Sequence, residues 1–205
     1  MSLKIGPVMT LNADMTPLLM PISTTDFQQA INRIVIGVDD PKSLHGFFVV
    51  ASYAKKIGTN RPDRLKRYGL EHWPSIVARR KYLKRPQIVA FNDDNLFVRD
   101  RGKCRYCGKK LLLGKKPSEG GMTKDHYIPK SAGGPMNWTN AVAACNVCNN
   151  AKDNGSPTGR WKLAVPPYQP DYWMLASMYR KQPITIPDEQ WMTFLGDWEG
   201  KVTVR

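Results

Sequence analysis

Two Cys-x-x-Cys pairs constrain this chain of 205 residues more than any other feature. Cys104 and Cys107 form the first pair, Cys145 and Cys148 form the second, and the chain has four cysteines in all. Two such pairs supply the four soft ligands of a tetrahedral zinc site, and Gly108 suits the tight turn after the first pair. The alternatives are a redox Cys-x-x-Cys or two separate disulfides, but the strand pattern of a thioredoxin-like motif is absent. The spacing predicts one structural zinc ion.

The positive charge of the chain is concentrated around these cysteines. Residues 51–150 contain 21 Lys and Arg against 7 Asp and Glu, and therefore account for the whole net charge of +14. Such asymmetry indicates a polyanionic partner, although a solvated basic face is the simpler alternative. No apolar run approaches the length of a membrane span, and the N-terminus lacks the layout of a secretory signal. We therefore expect no membrane contact and a cytoplasmic location.

The segment between the cysteine pairs has a readable order. Alternation predicts a strand over 122–128, which contains Asp125 and His126, and Gly133-Gly134 predicts a loop. Residues 140–144 return as a second strand. Residues 146–154 predict a short helix, with Gly155 just past its end. The predicted order is strand, loop, strand, helix, with the second cysteine pair entering the helix.

Residues 91–160 contain, in this order, Arg99-Asp100, Cys104-x-x-Cys107-Gly108, Asp125-His126-x-x-Pro129, Gly133-Gly134, Asn140 and Cys145-x-x-Cys148-Asn149-x-x-Lys152. On these residues the segment resembles the HNH endonuclease family, the ββα-metal nucleases. The spacing of His126, Asn140 and Asn149 is also similar to that in the HNH domain of CRISPR effector nucleases. Residues 1–90 resemble, more weakly, the N-terminal extension of the stand-alone four-cysteine branch found in bacteria and phages.

The resemblance implies a role for each matching residue. His126 is expected to be the general base that deprotonates water, and Asp125 and Asn149 are expected to hold one divalent ion. Asn140 is expected to brace the loop through side-chain bonds to backbone, and Lys152 to contact a phosphate. The zinc ion is expected to tie the two ends of the module together.

The chemistry of the residues agrees with these roles. Histidine is the side chain whose ordinary pKa suits a general base near neutral pH. Asp and Asn oxygens suit a hard cation, so we expect Mg²⁺ or Mn²⁺, and an Asn at position 149 in place of His favours Mg²⁺. In isolation His126 is more often a structural or surface histidine; its place beside Asp125 and between the cysteine pairs favours the catalytic interpretation.

The predicted fold class is α+β, a ββα-metal module stapled by a four-cysteine zinc site. An N-terminal α/β extension covers 1–90, the HNH nuclease module covers 91–160, and a helical, aromatic-rich C-terminal extension covers 161–205. In the N-terminal part the sequence predicts an extended entry segment at 5–22, a helix from Phe27 to a stop at Gly37 with a Thr25–Gln28 capping box, strands at 44–54 and 75–83, and a basic connector at 55–67. Just before the first cysteine pair it predicts a short helix capped by Asn92 or Asp93. In the C-terminal part it predicts a helix over 171–180 and a last helix from Pro187 through Trp198.

The expected partner is DNA, and the oligomeric state, monomer or homodimer, is left open. The expected nucleic-acid contacts are Arg79, Arg80, Lys81, Lys84, Arg85, Lys103, Arg105, Lys124 and Lys130. No motif for reading base edges is present, so we expect little or moderate sequence selectivity. The aromatic C-terminal residues are more often core than stacking platforms. The leading interpretation is a metal-dependent DNA endonuclease; the alternatives are a non-catalytic zinc-knuckle nucleic-acid-binding protein or an RNA-directed nuclease with the same module.

Overall fold

The computed structural model describes residues 7–17, 24–59, 62–84, 88–196 and 198–205. The helices are α1 (Phe27–Asp39), α2 (Pro62–Arg67), α3 (Asp93–Arg99), α4 (Asn146–Lys152), α5 (Tyr172–Arg180) and α6 (Met192–Leu195). The strands are β1 (Val8–Leu11), β2 (Thr24–Thr25), β3 (Phe47–Lys56), β4 (His72–Arg79), β5 (Thr123–His126), β6 (Ala141–Ala144), β7 (Ile184–Ile186) and β8 (Val202–Val204). No helix in the described ranges is both long and apolar enough to cross a membrane. The α+β class predicted from the sequence is confirmed by this mixture of helices and strands.

The chain forms two compact units, and it leaves the first to build the second and then returns. The first unit comprises Met1–Arg85 and Arg180–Arg205, and the second comprises Pro86–Tyr179. These units divide the chain differently from the predicted segments 1–90, 91–160 and 161–205. The difference arises because residues near the C-terminus pack into the hydrophobic core of the N-terminal sheet.

The first unit is built on a four-stranded sheet with the order β2-β1-β4-β3. Strands β1 and β4 are parallel, and the other two pairings are antiparallel. Because successive strand residues point to opposite faces, β1 and β4 supply two cores. Val8 and Val77 join Ile34 of α1 on one face. Met9 and Ile76 lie in the other core, with the C-terminal residues Ile186, Trp191 and Leu195.

Helix α1 departs from its predicted ends at both termini. Its N-cap is Asp26, which accepts a hydrogen bond from the Gln29 N–H, so the predicted Thr25–Gln28 capping box is wrong by one residue. The helix continues through Gly37 to Asp39. A Cβ at Gly37 would lie 2.3 Å from the carbonyl oxygen of Phe47, so this glycine permits close approach between helix and strand instead of ending the helix.

The C-terminal segment is less helical than predicted. Asp188 caps a single 3-10 turn that leads into the four-residue α6, so the predicted helix from Pro187 through Trp198 is wrong. The helix ends because Gly196 takes a positive φ of 55°. The parallel strands β7 and β8 flank this helix and were not predicted, and α2 replaces part of the predicted connector at 55–67. Part of the predicted entry segment at 5–22 lies outside the described residues.

The second unit carries the ββα arrangement. Asn92 caps α3 by accepting a hydrogen bond from the Asn95 N–H, as the sequence predicted. Strands β5 and β6 form an antiparallel hairpin whose register runs from Thr123 opposite Ala144 to His126 opposite Ala141. Helix α4 follows β6 directly and packs on β5. It ends at Lys152, two residues earlier than predicted, and Asp153 adopts a positive φ of 45° there.

A buried ion pair holds this unit together. Arg99 and Asp100 are 2% and 3% exposed, and two nitrogens of the guanidinium donate to both carboxylate oxygens at 2.9 Å. The remaining guanidinium donors reach the backbone carbonyls of Trp138, Tyr168 and Ala141. All five N–H donors of Arg99 are therefore satisfied. Asp100 also accepts from the backbone N–H of Ala143 in β6, so the pair fixes the hairpin.

Candidate active site and metal centre

The four cysteines meet at one point. Their sulfur atoms all lie within 4.8 Å of one another, and Cys107 Sγ is 3.8 Å from Cys145 Sγ. That separation is far longer than a disulfide bond, and all four residues are free thiols. A tetrahedral zinc ion with Zn–S bonds of about 2.3 Å requires sulfur separations of about 3.8 Å. The predicted clustering is confirmed, and the donor set fits a structural zinc ion.

Turns and a helix cap in the local backbone position the four sulfur atoms. At the first pair, the Cys104 N–H donates to the Lys109 carbonyl and the Gly108 N–H donates to the Cys104 carbonyl, which closes a turn where Gly108 has φ +74°. The backbone N–H of Lys109 lowers the pKa of the Cys107 thiol, whereas burial raises the pKa of Cys104. At the second pair, Cys145 caps α4, because its sulfur accepts from the Cys148 N–H at 3.4 Å. One helix start therefore presents two of the four sulfurs.

Asp125 is a buried carboxylate at the contact between β5 and α4. It is 5% exposed, and its Oδ2 atom lies 3.2 Å from the Lys152 ammonium. The Tyr106 hydroxyl donates to the same oxygen at 2.5 Å. Burial raises the pKa of Tyr106 well above its ordinary value, and the hydrogen bond to Asp125 is the second cause of this increase. The hydroxyl therefore remains a donor at neutral pH.

Lys152 faces inward from α4. Its side chain is fully buried, and its Nζ atom donates to the His126 carbonyl at 2.6 Å as well as pairing with Asp125. This placement differs from the expected contact with a phosphate, because the ammonium is enclosed by protein groups. Asn149 precedes Lys152 by three residues, so both side chains leave the same face of α4. Asn149 is half-buried, and among described residues no hydrogen bond to its side chain forms.

His126 is the last residue of β5 and is half-buried. Its carbonyl group is held by Lys152, which fixes the backbone at this point. Within the part of the chain that the structure describes, no hydrogen bond to its imidazole forms. No described residue therefore blocks either ring nitrogen from water or a substrate through a hydrogen bond.

Asn140 fixes the loop between the two strands. It is 2% exposed; its Oδ1 atom accepts from the Ile128 N–H at 2.7 Å, and its Nδ2 atom donates to the carbonyls of Ile128 and Pro135 at 3.0 and 2.9 Å. Gly134 lies against the same group, because a Cβ there would be 1.9 Å from the Ile128 carbonyl oxygen. The amide at the end of the loop thus bonds Ile128 near its start and Pro135 in its middle.

Comparison with protein-family models decides what this segment is. Residues 104–155 match the family described as HNH endonuclease. These residues form an HNH endonuclease domain. The matched range includes the four cysteines, Asp125, His126, Asn140, Asn149 and Lys152. No curated protein and no solved structure matches the chain.

The basic residues predicted to contact nucleic acid, in the HNH domain and just before it, differ in exposure and in their partners. Lys103 and Lys130 are exposed. Lys124 is exposed but pairs with Asp93 at 2.6 Å. Arg105 is half-buried and donates to the Val165 carbonyl at 2.6 Å.

The basic run before the HNH domain belongs to the first unit. Arg80, Lys81 and Lys84 are exposed. Arg79 donates to the Leu44 carbonyl at 2.8 Å, and burial lowers the pKa of its guanidinium. Arg85 lies outside the described residues. The exposed members are the ones that the structure leaves open to a polyanion.

The aromatic residues after the HNH domain are mainly core. Tyr172, Tyr179 and Trp191 are buried, whereas Trp173 is 65% exposed. Trp161 is half-buried and packs edge-on against Tyr106, with ring centres 5.2 Å apart. Packing explains most of these residues without base stacking.

Tyr106 is the site residue that the sequence analysis missed. Tyr106 lies between Cys104 and Cys107 in the sequence, but its partner Asp125 is 19 residues away. No periodicity or spacing links the two residues, so only the folded chain reveals the contact.

Proposed function

We propose that the protein is a metal-dependent endonuclease that hydrolyses phosphodiester bonds in DNA. The observation that carries this proposal is the buried Asp125 carboxylate, which directly precedes His126 in β5 and pairs with Lys152 on the helix face that bears Asn149, within the HNH domain. A binding module has no use for Asp125, His126 and Asn149 together. Nucleic-acid cleavage uses all three, as general base and as ligands of a divalent ion.

In this proposal His126 is the general base. Its imidazole accepts a proton from the attacking water, and histidine is the side chain best suited to that exchange near neutral pH. The Lys152 ammonium donates a hydrogen bond to the His126 carbonyl, which fixes the backbone that carries the imidazole. Asn140 fixes the following loop through its three hydrogen bonds.

Asp125 and Asn149 would hold the divalent ion. A carboxylate and an amide oxygen form a hard donor set, which suits Mg²⁺ or Mn²⁺. When bound, such an ion stabilises the charge that develops on the phosphate and leaving oxygens. Lys152 forms an ion pair with the Asp125 carboxylate and offsets part of its negative charge.

The surface chemistry favours a nucleic-acid substrate. The exposed Lys103 precedes the hairpin in sequence, the exposed Lys130 lies in the loop between its strands, and the net charge of +14 lies in residues 51–150. If about six to ten lysines and arginines meet phosphates, affinity falls by about three to five decades between about 50 and 200 mM salt. We also propose a cytoplasmic location, because four free thiols that bind zinc suit a reducing compartment.

A plasmid relaxation assay tests the catalytic proposal. With Mg²⁺ the wild-type protein should convert supercoiled DNA to nicked or linear forms, and EDTA should stop the reaction. His126→Ala should lose cleavage and keep DNA binding. His45→Ala is the matched control, because His45 is an exposed histidine in the first unit and should cut like the wild type. Equal cutting by His126→Ala and wild type would remove His126 from the mechanism.

Substrate comparison separates the alternatives. Duplex DNA, single-stranded DNA and RNA of the same sequence are incubated with the protein under Mg²⁺ and under Mn²⁺. Cleavage of RNA alone would change the substrate of the proposed enzyme. Tight binding without cutting any of the three would identify a zinc-knuckle binding protein in place of a nuclease.

A further inference from the structure

Tyr106 joins the zinc knuckle to the carboxylate at the centre of the proposed active site. It lies between the ligands Cys104 and Cys107, and its hydroxyl donates to Oδ2 of Asp125. Its ring packs edge-on against Trp161 at an interplanar angle of 83°. The cysteines therefore fix the backbone of Tyr106, and Trp161 fixes its ring.

The two oxygens of Asp125 have different environments. Oδ2 is reached by two donors, the Tyr106 hydroxyl and the Lys152 ammonium. Among the residues that the structure describes, no hydrogen bond or ion pair forms with Oδ1. The side chain is only 6% exposed, so solvent has little access to turn it. With Oδ2 held, Oδ1 is the atom left for a cation.

We propose that Tyr106 is a positioning residue of the nuclease, which orients Asp125 so that Oδ1 is presented to the divalent ion. This inference rests on the proposed function, in which Asp125 holds that ion. The zinc site then has a second consequence besides stability, because it sets the backbone that carries the orienting hydroxyl. Removing a group that hydrogen-bonds a metal-ligating residue typically weakens metal affinity or activity by about 10- to 100-fold.

The decisive variant is Tyr106→Phe, which removes one hydroxyl and keeps the ring against Trp161. The Mg²⁺ concentration for half-maximal cleavage should rise by about 10-fold or more, while the rate at saturating Mg²⁺ falls much less. Zinc content should stay equal to that of the wild type. A merely structural role would lower the melting temperature and leave the Mg²⁺ dependence unchanged.

Tyr179→Phe is the matched control. It also removes a buried tyrosine hydroxyl, which donates to Asn95 Oδ1 at 2.7 Å in the same unit. It should lower stability by a similar amount and leave the Mg²⁺ dependence of cleavage at the wild-type value. An equal shift of the Mg²⁺ dependence in both variants would overturn the proposed role of Tyr106.

Direct Mn²⁺ binding separates this inference from the proposed function. Calorimetric titration of the zinc-loaded protein with Mn²⁺ reports on Asp125 without any cleavage. A wild type that binds Mn²⁺ but cuts nothing ends the nuclease proposal, and a weaker Mn²⁺ affinity of Tyr106→Phe still supports the positioning role. A wild type that cuts, with unchanged metal dependence in Tyr106→Phe, keeps the nuclease and overturns the positioning role.

A crystal structure of the wild-type protein soaked in Mn²⁺ gives a test that needs no variant. The anomalous signal of Mn²⁺ should lie on Oδ1 of Asp125, with Oδ2 still bonded to Tyr106. Mn²⁺ bound through Oδ2, with the tyrosine hydrogen bond broken, would overturn the inference.

Discussion

Replacing Asn140 by Ala should release the loop that follows His126. The change removes three hydrogen bonds, one from the Ile128 N–H and two to the carbonyls of Ile128 and Pro135. A typical net contribution is about 1 kcal/mol per bond, which gives about 3 kcal/mol in total. Asn140 is 2% exposed, so water cannot easily replace its amide, whereas Ile128 is 44% exposed and part of the loss is recovered there. We therefore expect a loss of about 2–4 kcal/mol.

The assay is hydrogen exchange at a single amide. The Ile128 N–H is the donor to Asn140 Oδ1, so its protection reports the bond itself. A loss of about 3 kcal/mol corresponds to exchange about 150-fold faster, because 1.4 kcal/mol is a factor of ten. Urea unfolding of the same samples measures the global loss. Asn137→Ala is the matched control, because Asn137 is exposed and its side chain bonds, among described residues, within its own turn to Thr139, while the backbone carbonyl that the substitution keeps accepts from the Asn140 and Ala141 N–H groups.

Asn140→Asp separates the acceptor of this side chain from its donor. The aspartate keeps an oxygen for the Ile128 N–H but turns a second oxygen toward the carbonyls of Ile128 and Pro135. Burying that charge should cost at least as much as the alanine change. The reasoning is refuted if Asn140→Ala leaves the Ile128 exchange rate and the urea midpoint at their wild-type values, or if Asn140→Asp is as stable as the wild type.

Three further changes test the scaffold. Cys148→Ser should abolish zinc binding and lower the melting temperature sharply, because structural zinc contributes on the order of 10 kcal/mol; zinc content and a thermal melt measure both, and a fully stable zinc-free variant would contradict the assignment. Asp100→Asn should cost about 3–5 kcal/mol in urea unfolding, because it leaves the buried Arg99 guanidinium without its partner. Asp153→Gly should raise the free energy of unfolding by about 1 kcal/mol, because the exposed aspartate at φ 45° and ψ −122° has a strained backbone and glycine there does not. An unchanged urea midpoint would contradict that strain.

The HNH domain was the part most predictable from the sequence. Cysteine spacing predicted the sulfur cluster, and short alternating runs around Asp125 and residues 140–144 predicted the hairpin. These signals are local: each strand, turn or knuckle is specified within a few residues, and the second cysteine pair opens the helix that follows. The hydrogen bonds between Asn140 and the loop backbone were expected from the resemblance to the HNH family, and they are present.

The flanks were predicted less well, because contacts with residues distant in sequence decide their structure. Strands β7 and β8 have three residues each, too few to show periodicity, and they exist because they pair with each other. Gly37 was expected to stop a helix, because glycine is a poor helix former, but packing against Phe47 requires it there.

The sequence by itself determined which groups are present and in what order: four thiols, one histidine beside an aspartate, and two asparagines at set intervals. The tertiary structure alone decided which groups meet. It turned Lys152 from an expected phosphate contact into the buried partner of Asp125, and it brought the Tyr106 hydroxyl onto the same oxygen. Local spacing fixes backbone direction over a few residues, whereas contacts across 19 and 27 positions depend on how the knuckle, hairpin and helix pack together.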